Sequence, residues 1–315
     1  MQKESIVSKK IKEVFTIKAK TNVNTNTKFK KKDLIGWLVM LPTLVLFAFF
    51  VWEPLLENVR LSLFSSKRYQ IVDFVGLDNY VRVLKNPDVW DAIPNTLSYT
   101  FWSLIIGFCI PIILAIVISE TIHLKGLFRV GVYFPNIVPG LATIWIWSYF
   151  FNPGETGVLN IILSKIGAGP FQWLNSTFWT IPLIVIVMTW KSAGSTALIY
   201  MANISSISPD LYEAATIDGA GVWQRIRHIT IPSVMGIAKT MLILQIISVF
   251  QVLYEPMVLK NGGPNNASLS IMMVIYRYAF RDYKFSEAAA LSVMVCIILI
   301  ILSGIYMKMT AKKDE

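Results

Sequence analysis

Few residues in this chain have the types and spacing to do chemistry. Its two histidines, His123 and His228, fall in or beside polar intervals with no serine or cysteine nucleophile arranged around them, and read as solvated loop residues. Cys109 and Cys296 lie inside apolar runs and read as small core residues, with neither a disulfide framework nor a metal-ligand spacing. No G-x-x-x-x-G-K-[ST] stretch occurs, so the chain lacks the backbone cradle for nucleotide phosphates and should not itself bind or hydrolyse ATP. An enzyme is not expected. An ion-coupled carrier would keep ionisable groups at mid-membrane, where they are costly and persist for function. The apolar segments hold no Asp or Glu in their interiors, and Lys191 is the only charge well inside one.

What remains is a polar interval between two long apolar segments, 207–232, reading ISPDLYEAATIDGAGVWQRIRHITIP. Ser208 suits a helix N-cap and Pro209 the first turn, where its missing N–H is harmless. Asp210 and Glu213 meet the positive end of the helix dipole. Leu211, Ala214 and Ala215 share one side, and the two alanines allow another surface to come close. Gly219, after Asp218, can stop the helix in a left-handed turn. A second helical run is expected from about Val222, with Arg225 and Arg227 as charges and Pro232 at the entry to the next apolar segment. The spacing thus predicts a stiff, two-part loop with an acidic, alanine-faced first half. On the apolar segments to either side, Lys191 and Ser195 share a face with Ser192 beside them, and Gln245 and Ser248 stand three apart, with Gln251 a turn further on. Such residues bond across helices or face a watery cavity.

The elements that must position these residues are membrane helices. The 315 residues are 55% hydrophobic with a mean hydropathy of +0.57 and only 15% charged, against about 25% charged in soluble domains. A net charge of +10 could suggest nucleic acid. The basic residues cluster instead at the ends of apolar segments and in a lysine-rich stretch over 1–33, which is too polar to bury a core and is expected to be disordered or to lie on the membrane surface. Leu34 to Trp52 is free of charge, long enough to cross the bilayer core, and is expected to be a retained anchor rather than a cleaved signal. Six helices are predicted, at about 34–54, 94–119, 129–151, 178–200, 234–254 and 287–307, with a short tail over 309–315. Lysine and arginine number 17 on the side holding the N-terminus and 10 on the other. By the positive-inside rule both termini and the 207–232 loop face the cytoplasm.

Glu213-Ala214-Ala215, Asp218-Gly219-Ala220 and then Ile229, Ile231 and Pro232 resemble the cytoplasmic EAA loop of ABC importer permeases, the membrane subunits of binding-protein-dependent uptake systems. VGLDNYVRVLKNP at 75–87 with Asn95-Thr96-Leu97, FPNIVPGLATIWIWSYFFNPGETGVLN at 134–160, Gly262-Gly263-Pro264, and the run from Ala279-Phe280 to Ala288-Ala289-Ala290-Leu291 are similar to the carbohydrate branch of that family, of maltose, lactose or glycerol-phosphate type. The resemblance covers nearly everything from Leu34 to Lys308.

It implies an all-α integral membrane protein with the type I importer permease architecture. The implied partners are a second homologous permease, two ATPase subunits that bind ATP and magnesium in this chain's stead, an extracytoplasmic solute-binding protein and a sugar. It also implies that Glu213, Ala214, Ala215, Asp218, Gly219 and Ala220 dock on the ATPase. Lys191, Ser192, Ser195, Gln245, Ser248 and Gln251 become candidates for the substrate path, with Trp190 and Phe250 able to stack on a sugar ring. The family's sugar site uses asparagines and aromatics where this chain has Met188, Val249 and Val252, so the partner permease could carry most of the binding. A glycerol-phosphate or polyol cargo and an ion-coupled carrier stay open as alternatives.

Overall fold

A computed structural model describes residues 31–67, 70–121 and 123–311; the expected N-terminal tail through Lys30 and the end of the C-terminal tail lie outside the described residues. In chain order the elements are α1 (Ile35–Ser62), a hairpin of β1 (Phe64–Lys67) and β2 (Gln70–Phe74), α2 (Asp78–Leu84), α3 (Pro87–Glu120), α4 (Lys125–Ile137), α5 (Gly140–Phe150), α6 (Val158–Ser164), α7 (Thr180–Ser205), α8 (Pro209–Ile217), α9 (Val222–Phe250), α10 (Tyr254–Lys260), α11 (Ile271–Tyr276) and α12 (Phe285–Thr310). Among them α1, α3, α7, α9 and α12 are long and apolar enough to cross a membrane, and the bent pair α4 and α5 brings the number to six when counted as one broken span. The six-helix, all-α expectation holds, with one short antiparallel hairpin added.

The described residues fall into two units, one ending at Glu57 and one beginning at Asn58. In the first, every described side chain of α1 is exposed, and nearly all are apolar. Such a surface is stable only when lipid or protein covers it.

Within the second unit the expected boundaries shift for local reasons. α3 begins at Pro87 rather than 94, because the Asn86 side chain accepts the Asp88 amide at 2.9 Å and Pro87 starts the first turn. The segment expected as one helix over 129–151 is two, meeting at 96°. Pro139 has no amide hydrogen to donate and pushes Val138 into an extended conformation, which ends α4 and lets α5 start afresh at Gly140. Pro232 likewise was expected to separate the loop from the fifth span, yet α9 runs unbroken from Val222. A π-helical turn at Ile226–Thr230 comes just before the proline, so the ladder of i−4 hydrogen bonds is already interrupted where Pro232 lacks its donor.

α7 is the pillar of this unit. Its residues from Thr180 to Val185 are buried without interruption, and it contributes to two of the three apolar clusters: Ile181, Leu183, Ile184, Val185 and Val187 pack with Tyr99, Phe151, Leu174 and Val249, while Ala197, Tyr200, Met201 and Ile204 pack with Ala115, Ile118, Val234 and Ala238. A helix apolar all round belongs inside a bundle. Between those clusters α7 crosses α4 so closely that a Cβ placed on Gly194 would stand 2.0 Å from the Val132 carbonyl oxygen. Small residues permit this backbone-to-backbone approach, the usual basis of tight helix packing in lipid.

Gly194→Ala is therefore expected to lower the melting temperature of the detergent-purified protein by roughly 5 °C or more, since overpacking costs about 1–3 kcal/mol. Gly236→Ala, where a Cβ meets nothing within 4 Å, serves as the control and should melt like the parent. Equal melting of the two variants would show that the crossing is not tight.

Candidate functional site

Two features stand out in the second unit, a polar cavity between spans and an uncovered knuckle at one end of them. The cavity measures about 470 Å³ and is walled by α3, α4, α7, α9 and α10. Its polar groups come from Ser103 on α3, Asn136 on α4, Thr189, Lys191, Ser192, Thr196 and Tyr200 on α7, Gln245 and Ser248 on α9, and Glu255 on α10. Gln245 donates to the Ser103 hydroxyl, tying α9 to α3, and Gly107 leaves room for that amide. The hydroxyls of Thr189 and Tyr200 are enclosed beside the cavity and make no hydrogen bond among the described residues.

Lys191 serves the bend as well as the cavity. Its ammonium donates to the Val138 carbonyl at 2.6 Å, the carbonyl left free where α4 breaks. The Glu255 carboxylate lines the same cavity, where burial holds its pKa above the usual carboxylate value and the Lys191 charge opposes that rise. Of the substrate-path candidates, the structure brings Lys191, Ser192, Gln245 and Ser248 to one cavity. Ser195 and Gln251 are not among its lining residues: the Ser195 hydroxyl returns to the Ser192 carbonyl at 2.8 Å, and Gln251 caps the exposed end of α9. Trp190 packs edge-on against Trp147, while Val249 and Val252 are buried in the core. Glu255 was missed because it falls one residue beyond the expected end of the fifth span. Ser103, Asn136, Thr189 and Tyr200 gave no signal, since isolated polar residues in apolar runs do not declare which way they face.

The knuckle is α8 and the turn after it. Ser208 accepts the Asp210 amide at 3.3 Å, as a capping serine should. Gly219 closes the helix with φ +80°, and the Ala220 amide reaches back to the Ala215 carbonyl at 2.8 Å. The Gly221 amide then donates to the Gln224 side chain, starting α9. The Tyr212 hydroxyl meets that of Thr230 at 2.9 Å, and the Arg225 guanidinium donates to the Thr216 hydroxyl at 2.9 Å. These bonds hold α8 against the first turns of α9. No residue of α8 is buried: Leu211 is 54% and Ile217 86% exposed, and Glu213 and Ala214 are open as well.

A bundle of apolar spans around a polar cavity, with a stiffened polar knuckle between two of them and no nucleotide loop or catalytic set in its sequence, defines a transport permease. Residues 107–310 match the family described as binding-protein-dependent transport system inner membrane component. The chain belongs to that family and is a multi-pass membrane protein. It is 30% identical to the arabinooligosaccharides transport system permease protein AraP of Bacillus subtilis (strain 168), over 90% of each chain. It is also 30% identical to the trehalose/maltose transport system permease protein MalF of Thermococcus litoralis, over 91% of this chain and 97% of that one. A solved bacterial ABC transporter involved in import of the acidic polysaccharide alginate contains a chain that is 27% identical and superposes with a TM-score of 0.79, covering 90% of this chain and 96% of that one. The same likeness holds for a bacterial alginate ABC transporter in complex with an alginate pentasaccharide-bound periplasmic protein.

If Lys191 and Glu255 offset one another, Lys191→Met should destabilise more than the double change Lys191→Met with Glu255→Gln. The expected coupling is on the order of 1 kcal/mol, read from the melting temperatures of both single variants and the double. Additive losses would mean that the two charges are independent.

Proposed function

We propose that the chain is the membrane-spanning permease of an ATP-driven, binding-protein-dependent importer for a sugar or oligosaccharide, and that α8 is the lever through which ATPase closure drives the pore. The observation that carries this reading is the state of α8: a rigid helix with apolar and small side chains that none of the described residues buries, fixed at its two ends to α7 and α9, both of which wall the polar cavity. A docked partner would bury Leu211, Ala214 and Ile217, and any displacement of α8 would be handed to the two cavity walls.

In this reading both termini and α8 face the cytoplasm. The assembly contains a second, homologous permease, two ATPase subunits that hold ATP and magnesium, and an extracytoplasmic binding protein. Glu213, Ala214, Ala215, Asp218, Gly219 and Ala220 form the docking surface. Lys191, Ser192, Gln245 and Ser248 face the passing substrate. The oligosaccharide systems named for AraP and MalF support a sugar cargo. Lys191 is already engaged by the Val138 carbonyl, and the Glu255 carboxylate lines the same cavity, which favours a neutral sugar over a glycerol phosphate. Glu255 does supply a cavity carboxylate of the kind an ion-coupled carrier uses, but membership of a binding-protein-dependent family favours ATP as the energy source.

Ala214→Trp would place a bulky ring on the docking face. In the complex purified from its host through a tag on this chain, the variant should stay in the membrane fraction while the co-purified ATPase and its ATP hydrolysis fall roughly tenfold or more, the loss of about 1.4 kcal/mol of docking energy. Full retention of both would overturn the docking role.

A further inference from the structure

The chain joins α8 covalently to α7 and α9 only, yet the structure gives it a third attachment. We infer that Arg225 is a positioning residue that ties α8 to the Glu120 end of α3, so that movement of the knuckle reaches three cavity walls rather than two. The inference rests on the coupling role proposed for α8 and adds a route to it.

The Arg225 guanidinium works in two directions. One amino group donates to the Thr216 hydroxyl of α8 at 2.9 Å, and that hydroxyl in turn donates to the Tyr212 carbonyl at 2.7 Å, so the bond grips the helix itself. The other faces the Glu120 carboxylate at 3.9 Å. Both charged side chains are largely covered, at 22% and 28% exposure, so water and salt screen the pair less than they would an open one. Glu120 is the last residue of α3, and some 26 Å of helix, at 1.5 Å per residue, lies between it and Ser103 in the cavity wall. Alongside Glu120, Ala115 and Ile118 pack with Tyr200, Met201 and Ile204, so this end of α3 is already seated on the last turns of α7. Arg225 thus stands where α3, α8 and α9 meet. A rod held at a joint shifts with it, whereas a free helix end lags behind.

An ion pair of this kind adds little to global stability, about 1 kcal/mol or less, so melting curves do not test it. Spin labels at Asp210→Cys on α8 and Val117→Cys on α3, with Cys109 and Cys296 replaced by alanine, report the joint directly. The complex is purified from its host and measured by pulsed electron resonance without nucleotide and after trapping with ATP and vanadate. In the parent the inter-label distance should form one narrow distribution whose mean moves by less than about 2 Å, the size of small helix shifts. Arg225→Met should widen that distribution about twofold in both states, and exchanging the charges with Glu120→Arg and Arg225→Glu should narrow it again. Glu120→Gln, which leaves the Thr216 bond intact, should also widen it. Distributions as narrow as the parent's in Arg225→Met or in Glu120→Gln would overturn the inference. Because both labels sit on this chain, the widths report on the joint even in a preparation that lacks an ATPase, an absence that would count against the coupling role instead.

Discussion

The contact on which the second unit depends is the crossing of α7 over α4 at Gly194. In lipid there is little hydrophobic drive between helices, so association rests on close packing and on internal hydrogen bonds. With no Cβ in the way, α7 approaches the Val132 carbonyl and brings Lys191 within reach of the Val138 carbonyl, at the point where α4 breaks. The bend in the third span and the buried fourth span therefore hold each other in place. A side chain at position 194 would separate them and leave a freed carbonyl without its donor.

From that crossing the polar arrangement follows. α3 is tied to α9 by Ser103 and Gln245, α4 to α7 by Lys191, and the turn before α11 to α3 by Asn95, whose amide donates to the Asn266 and Leu269 carbonyls. Polar side chains inside an apolar bundle are worth having when each finds a partner, and most do. Among the described groups left without a partner, the Thr189 and Tyr200 hydroxyls belong to cavity-lining residues, while Thr143, Trp147, Asn203 and Arg225 leave one elsewhere. One helix, α7, thus supplies the tight crossing, much of the cavity wall and the stem of the knuckle. A push at one end of such a rod has few ways to dissipate.

Much of this was legible in the sequence. Charge-free runs long enough to cross the bilayer marked the spans. Ser208, Pro209 and Gly219 marked the start and end of α8, because capping and left-handed turns depend on single residues and their immediate neighbours. The spaced pattern from Glu213 to Pro232 suggested the family, and the match over residues 107–310 agrees with it. Less legible were the consequences of two prolines. Pro139 ends a helix and Pro232 does not, and nothing local distinguishes them: the first follows an extended Val138, the second a π-helical turn, and either depends on what packs alongside.

The sequence by itself determined the class of protein, the number of spans and the position of the knuckle, because hydropathy, charge and helix caps act over one or two turns of a single helix. Only the tertiary structure decided which polar residues share a cavity. Ser192 and Ser195 lie on one helix, and Gln245 lies on the helix that Gln251 caps, yet in each pair only the first lines the cavity. Glu255 and Ser103, on other elements, join them there. That selection depends on how α7 is rotated against α3, α4 and α9, an angle set by Gly194 and the surrounding apolar clusters at long range, which no short stretch of residues encodes.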